Sequence, residues 1–122
     1  MSSISITIVD DSKMSRKAEM RALPTELHDN VHEAANGIEA LEKFSEGKAD
    51  VMFLDLTMPI MDGFEVLSEL KKQKARNFVF VLSADIQPTS QQKVLELGAV
   101  SFLKKPLDAF MLKELLHEVG LI

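Results

Sequence analysis

The chain has 122 residues, 46% of them hydrophobic, no cysteine, and 14 Lys plus Arg against 19 Asp plus Glu for a net charge of −5. That length suits one domain, which can bury about two-thirds of the surface its unfolded form exposes without a disulfide or structural metal. Zero cysteine excludes a disulfide scaffold, a thiol nucleophile and thiolate-held zinc or iron–sulfur, and the acidic balance argues against nucleic acid as a direct partner, because phosphate binding needs a basic face.

The first strand is predicted over Ser5–Val9 and ends in Asp10-Asp11. A helical stretch, Met14–Leu23, follows, then a weak strand at Val31–Ala34. Ile38, Leu41 and Phe44 at i, i+3, i+6 predict a second helix, with Asn36 and Glu39 placed as a capping box. Val51–Leu54 is a continuous apolar run of strand length. Phe64, Leu67 and Leu70 then repeat the helical spacing behind Asp62 and Glu65, a second capping-box pair. Phe78–Leu82 is the fourth strand, Ser90–Leu97 a fourth helix and Ser101–Leu103 a short fifth strand. Leu112, Leu115, Leu116 and Val119 form the stripe of a last amphipathic helix. Strands and helices in strict alternation, with strands apolar on both sides, imply right-handed βαβ units. The fold class is therefore α/β, a doubly wound parallel sheet of five strands with helices on both faces.

The longest apolar run, Phe78–Leu82, has five residues, and a membrane helix needs about twenty. The start, Met1-Ser2-Ser3-Ile4, lacks the basic and apolar regions of a signal peptide. The expectation is a cytoplasmic protein with no membrane partner. The seven methionines read as core filler.

Open α/β sheets bind ligands beyond the carboxyl ends of their strands. There the first strand offers Asp10 and Asp11, the third Asp55, the fourth Ser83 and the fifth Lys104 and Lys105, whereas the second offers only Ala34-Ala35. Singly, each acid could cap a helix or open a turn. Gathered on neighbouring strands, three carboxylates repel unless a cation joins them, and a site with hard oxygen donors and no nearby histidine suits Mg²⁺. A hydroxyl from Ser83 and an ammonium from one of the two lysines would complement a phosphoryl dianion. A carboxylate can itself accept phosphate, giving an acyl phosphate. Asp55, alone on its strand, is the best candidate, leaving Asp10 and Asp11 to hold metal.

Ile8-Val9-Asp10-Asp11-Ser12, Asn36-Gly37-Ile38-Glu39-Ala40-Leu41, Leu54-Asp55-Leu56-Thr57-Met58-Pro59, Met61-Asp62-Gly63, Ser83-Ala84 and Lys105-Pro106 stand in an order and spacing that resembles the receiver domain of two-component response regulators. The resemblance spans essentially the whole chain. It implies a flavodoxin-like (βα)5 fold with strand order 2-1-3-4-5, taken from the family and not from the residues. It implies that Asp55 accepts a phosphoryl group from a sensor histidine kinase or phosphotransfer protein. Asp11, Asp55 and the backbone carbonyl of Thr57 would bind Mg²⁺, with Asp10 helping through water. Lys105, before Pro106 and its typically cis bond, would contact the phosphoryl group, leaving Lys104 solvated. Ser83 and Phe102 would be the switch pair, changing the face made by the fourth helix, fifth strand and fifth helix. That face would then bind a downstream protein or an attached output domain. Thr57 and Asp85 stand at the two positions that tune phosphoryl lifetime in the family. Phe102 stands where many relatives carry tyrosine.

The resemblance also implies one receiver domain over residues 1–122 with no output domain, a signalling module rather than an enzyme acting on another substrate. Two rivals fit less well. Phosphohydrolases with an aspartate nucleophile usually carry a second Asp two residues on, where this chain has Thr57. A flavodoxin-like cofactor binder would need a phosphate-cradling loop where Asp10 and Asp11 stand. Lys71, Lys72, Lys74 and Arg76 read as a solvated run at a helix end. His28, His32 and His117 are too scattered for a metal site.

Overall fold

A computed structural model describes residues 4–84 and 87–122. The strands are β1 (Ile6–Val9), β2 (Val31–Ala34), β3 (Val51–Asp55), β4 (Phe78–Ser83) and β5 (Ser101–Lys104). The helices are α1 (Lys13–Ala22), α2 (Gly37–Ser45), α3 (Gly63–Lys72), α4 (Pro88–Glu96) and α5 (Ala109–Glu118), with a 3-10 turn over Thr25–Asn30 that the periodicity did not anticipate. All strand pairings are parallel and the order is β2-β1-β3-β4-β5.

Alternate residues of each strand face opposite layers. Ile6, Ile8, Val51, Phe53, Phe80 and Leu82 pack with Ala22 and Leu23 at the end of α1 and with Leu112 and Leu116 of α5. Within that layer the Phe53 and Phe80 rings stack with centroids 5.4 Å apart. Val9, Met52, Leu54, Val79 and Val81 meet Ala40 of α2, Val66, Leu67 and Leu70 of α3 and Val94 of α4 on the other face. Two covered faces explain why the strand segments are continuous apolar runs rather than alternating ones.

Register brings the strand ends level. Val9 lies opposite Ala34 and Leu54, Leu54 opposite Val81, and Val81 opposite Phe102. The residues that follow, from Asp10 to Lys105, therefore share one edge of the sheet.

The predicted α2 stripe is shifted. Ile38 is largely exposed, while Gly37 and Ala40 are buried and Leu41 and Phe44 are half-buried. The cause lies at Gly37, where an added Cβ would sit 2.6 Å from Met61 Cγ and 2.7 Å from the Met61 carbonyl. This close approach of backbone to backbone sets the helix phase with Ala40 inward. The two caps also differ. Asp62 and Glu65 form a complete capping box. Asn36 caps Glu39 in the same way, but the Glu39 carboxylate accepts from the Ala35 N–H instead of that of Asn36.

Candidate functional site

Asp10 continues the first strand past Val9, since its N–H donates to the Ala34 carbonyl at 3.0 Å. Its side chain is buried, accepts from the Ser12 N–H at 2.9 Å through Oδ1, and takes the Lys105 ammonium on Oδ2 at 2.5 Å. Asp55 ends β3, is also buried, and stands 3.3 Å from the same ammonium. Asp11 is exposed at the mouth, and one oxygen from each of Asp10, Asp11 and Asp55 lies within 4.8 Å of the others.

Lys105 reaches this ring because the ladder runs on beyond β5, its N–H donating to the Ser83 carbonyl at 3.0 Å. Lys104, opposite Ser83 in register, is exposed. Strand alternation thus sends one lysine to solvent and the next to the acids. The Lys105–Pro106 peptide is cis. Ser83 is buried at the end of β4 and lines a cavity of about 340 Å³ with Leu56, Thr57, Met58, Asp62, Phe64 and Ser90. Thr57 is exposed on the same edge. Phe102 is half-buried and packs on the layer that holds Val81 and Val94. Asp85 lies outside the described residues.

The electrostatics suit a divalent cation. Burial lifts the Asp55 carboxyl above the usual carboxylate range; Lys105 pulls it back, and Asp10 and Asp11 push it up again. Burial alone would lower the Lys105 ammonium, but its hydrogen bond to Asp10 and the charges of Asp55 and Asp10 outweigh that and hold it above its ordinary value. One lysine, paired with Asp10 and Asp55, against three clustered carboxylates leaves net negative charge among hard oxygen donors, the donor set that Mg²⁺ prefers.

Two features of the site escaped the periodicity. Glu19 on α1 is buried at 4% exposure, under the influence of Asp10, Lys105 and Asp55. As a carboxylate neither of its oxygens has a donor, while the protonated form can donate to Asp10. Burial first, then the Asp10 charge, pushes its pKa up to about 8. The signal was its place three and four residues before the buried Ala22 and Leu23, on one helix face. The second feature is Ile60, in the loop that leaves Asp55. It holds φ at +70° and is 73% exposed. A β-branched residue is strained there and recovers little by packing. Ile60→Asn, which tolerates the left-handed region, is expected to raise stability by about 1 kcal/mol. A denaturant midpoint unchanged or lowered in this variant would show that the loop carries no such strain.

Residues 6–117 match the response regulator receiver domain family. The chain is 33% identical over 117 residues to a chemotaxis protein CheY of Listeria monocytogenes, covering 96% of this chain and 98% of that protein. It is 39% identical over 117 residues to a protein-glutamate methylesterase/protein-glutamine glutaminase of Syntrophomonas wolfei, covering 89% of this chain but spanning only 33% of that protein. Among solved structures, a CheX-CheY-BeF3-Mg complex from Borrelia burgdorferi superposes with a TM-score of 0.86 at 30% identity, covering 95% of this chain and 88% of that one.

Proposed function

The chain belongs to the response regulator receiver domain family, and on that premise we propose that Asp55 accepts a phosphoryl group from a phosphohistidine of a sensor kinase or phosphotransfer protein. One observation carries the assignment: Asp55 ends the central strand β3 inside the ring of acids and faces the one ammonium that Asp10 also holds.

An Asp55 carboxylate oxygen attacks phosphorus as the phosphorus–nitrogen bond breaks. The imidazole nitrogen leaves with that electron pair, and an acyl phosphate forms on Asp55. Lys105, already 3.3 Å from Asp55, pairs with one phosphoryl oxygen, and the Ser83 hydroxyl donates to another. A magnesium ion held by Asp11, Asp55 and the Thr57 carbonyl, with Asp10 acting through water, would neutralise part of the phosphoryl charge. Thr57 and Asp85, at the two positions that tune lifetime in the family, set how long the acyl phosphate lasts. Hydrolysis by water then resets the module, so the chain signals rather than turning over a separate substrate.

The output follows from charge. A phosphoryl group adds about −1.5 to −2 units. Ser83 moves toward it, vacating space into which Phe102 turns, and the α4-β5-α5 face changes its affinity for a downstream protein or output domain. Support comes from apolar side chains on two of those elements: Leu95 of α4 and Phe110 and Met111 of α5 are exposed. No helix among the described residues is long and apolar enough to cross a membrane, which accords with work in the cytoplasm.

The test uses Mg²⁺ and acetyl phosphate, with intact mass as the readout. One phosphoryl group, stable in acid and labile in base, is expected on the wild-type chain, absent from Asp55→Asn and absent when EDTA removes the metal. Equal labelling of Asp55→Asn would move the acceptor elsewhere.

A further inference from the structure

Arg16 sits on α1, one turn beyond the Asp10–Asp11 turn, with only 16% of its side chain exposed. Its guanidinium ties α1 to the end of the first strand and to β2. Nη1 donates to the main-chain carbonyl of Asp10 at 2.7 Å. Nε donates to Oε1 of Glu33 on β2, also at 2.7 Å. The Arg16 main-chain N–H donates to the Ser12 carbonyl at 3.0 Å, which fixes the residue in the first turn of α1, and the Nη1 bond to Asp10 folds the side chain back onto the turn from which that helix starts.

The Asp10 residue is thereby held from two sides. Its N–H is paired with Ala34 and its carbonyl with Arg16. That carbonyl belongs to the peptide that leads into Asp11. Pinning the peptide plane sets where both carboxylates of the pair begin, just as a group behind a ligand orients the ligand itself. Two charge-assisted bonds from one planar fork make the hold directional.

We propose that Arg16, itself braced by Glu33, is a positioning residue for the cation site: it locks the Asp10–Asp11 peptide so that the two carboxylates meet Asp55 in a geometry ready for a divalent ion. The inference rests on the reading of these acids as the magnesium site. Charge and geometry predict opposite results here. As a nearby cation alone, Arg16 repels a divalent ion, and removing it tightens binding. As a fork, it organises the acids, and losing it weakens binding even when the charge stays. Lysine separates the two, because it keeps the charge but cannot hold two acceptors in fixed directions.

The experiment titrates Mg²⁺ into the full chain by calorimetry at fixed ionic strength and records thermal unfolding in EDTA alongside. Arg16→Lys is expected to weaken magnesium binding about fivefold, and Glu33→Gln about twofold. The double variant should bind no worse than Arg16→Lys within about twofold, because both changes break one device. Glu46→Gln, which removes the partner of Lys48 in a surface pair elsewhere, should leave the affinity unchanged. A wild-type dissociation constant in Arg16→Lys, or tighter binding in Arg16→Ala, overturns the proposal even if the melting temperature falls. A wild-type chain that binds no magnesium overturns the cation reading, and this inference with it, while acetyl phosphate labelling of Asp55 still tests the acceptor.

Discussion

Replacing Glu19 by leucine is expected to stabilise the protein, with a gain that grows steadily between pH 4.5 and pH 8. Glu19 is 4% exposed, and as a carboxylate neither of its oxygens has a hydrogen-bond donor; only the protonated form can bond to Asp10. Its pKa is pushed from 4.5 up to about 8, by burial first and by Asp10 second. Below pH 4.5 the folded and unfolded chains both hold the proton, so no pH-dependent term arises. Above it the unfolded chain releases the proton while the folded chain keeps it. The unfolded state then binds fewer protons, so wild-type stability falls as pH rises, by at most about 1.4 kcal/mol per unit. The fall ends near pH 8, where the folded group also ionises. Across the window the loss approaches about 5 kcal/mol as a ceiling, a large share of the roughly 5–15 kcal/mol that holds a domain of this kind. Leucine abolishes that slope, at the cost of the hydrogen bond that the protonated carboxyl makes with Asp10. Glutamine abolishes the slope as well, and its amide keeps a donor for Asp10. Denaturant unfolding of wild type, Glu19→Leu and Glu19→Gln in EDTA from pH 4 to pH 8.5 is the measurement. Curves that stay parallel across that range would show that Glu19 is not held protonated in the fold.

Glu19 also marks where the sequence stops being readable. The strands were legible because a sheet covered on both faces needs continuous apolar runs, and Val51–Leu54 and Phe78–Leu82 are such runs. The chemistry was legible because a parallel sheet delivers its strand ends to one edge: Asp10, Asp55, Ser83 and Lys105 each follow an apolar segment and converge there. What stayed hidden depends on packing between elements. Lys104 and Lys105 are adjacent and chemically identical, and the residues alone left both open. The resemblance named Lys105, and the strand register places Lys105 on the acids and Lys104 in solvent. Ile38 looked like a core position on α2, yet backbone contact between Gly37 and Met61 rotates it outward. Arg16 reads as an ordinary charge on a polar helix until β2 brings Glu33 to it. Glu19 reads the same way until α1 turns its face inward. A charged residue on a buried helix face is a local conflict between pattern and place. Such conflicts gather where a fold gives up stability around a working site.

The closest such compromise touches Asp55, the proposed phosphoacceptor, and sets a second large effect, that of Gly63→Ala. Gly63 begins α3 directly behind β3, and its N–H donates to the Leu56 carbonyl at 3.0 Å. A methyl group there would stand 2.6 Å from the Asp55 carbonyl oxygen and 2.9 Å from the Leu56 Cα. Both are backbone atoms, so no side chain can swing aside; either the helix start or the end of β3 must shift. Forced overpacking of this kind costs about 3 kcal/mol. The shift has a chemical consequence as well, since the strand end that moves is the one that carries Asp55 to within 3.3 Å of Lys105. Misplacing a reacting group by about 1 Å can cost a hundredfold in rate, and a displacement shared between helix and strand should cost about tenfold in acetyl phosphate labelling. Ile60→Asn in the same loop serves as the contrast: it relieves strain without adding an atom near Asp55, so it should raise stability and leave labelling close to wild type. Labelling of Gly63→Ala is measured where unfolding curves show the variant folded, so that lost rate and lost fold are read separately. A folded Gly63→Ala chain that labels at the wild-type rate would mean that the helix start yields and the strand end stays in place. In that case the close approach at Gly63 serves packing alone and not the placement of Asp55.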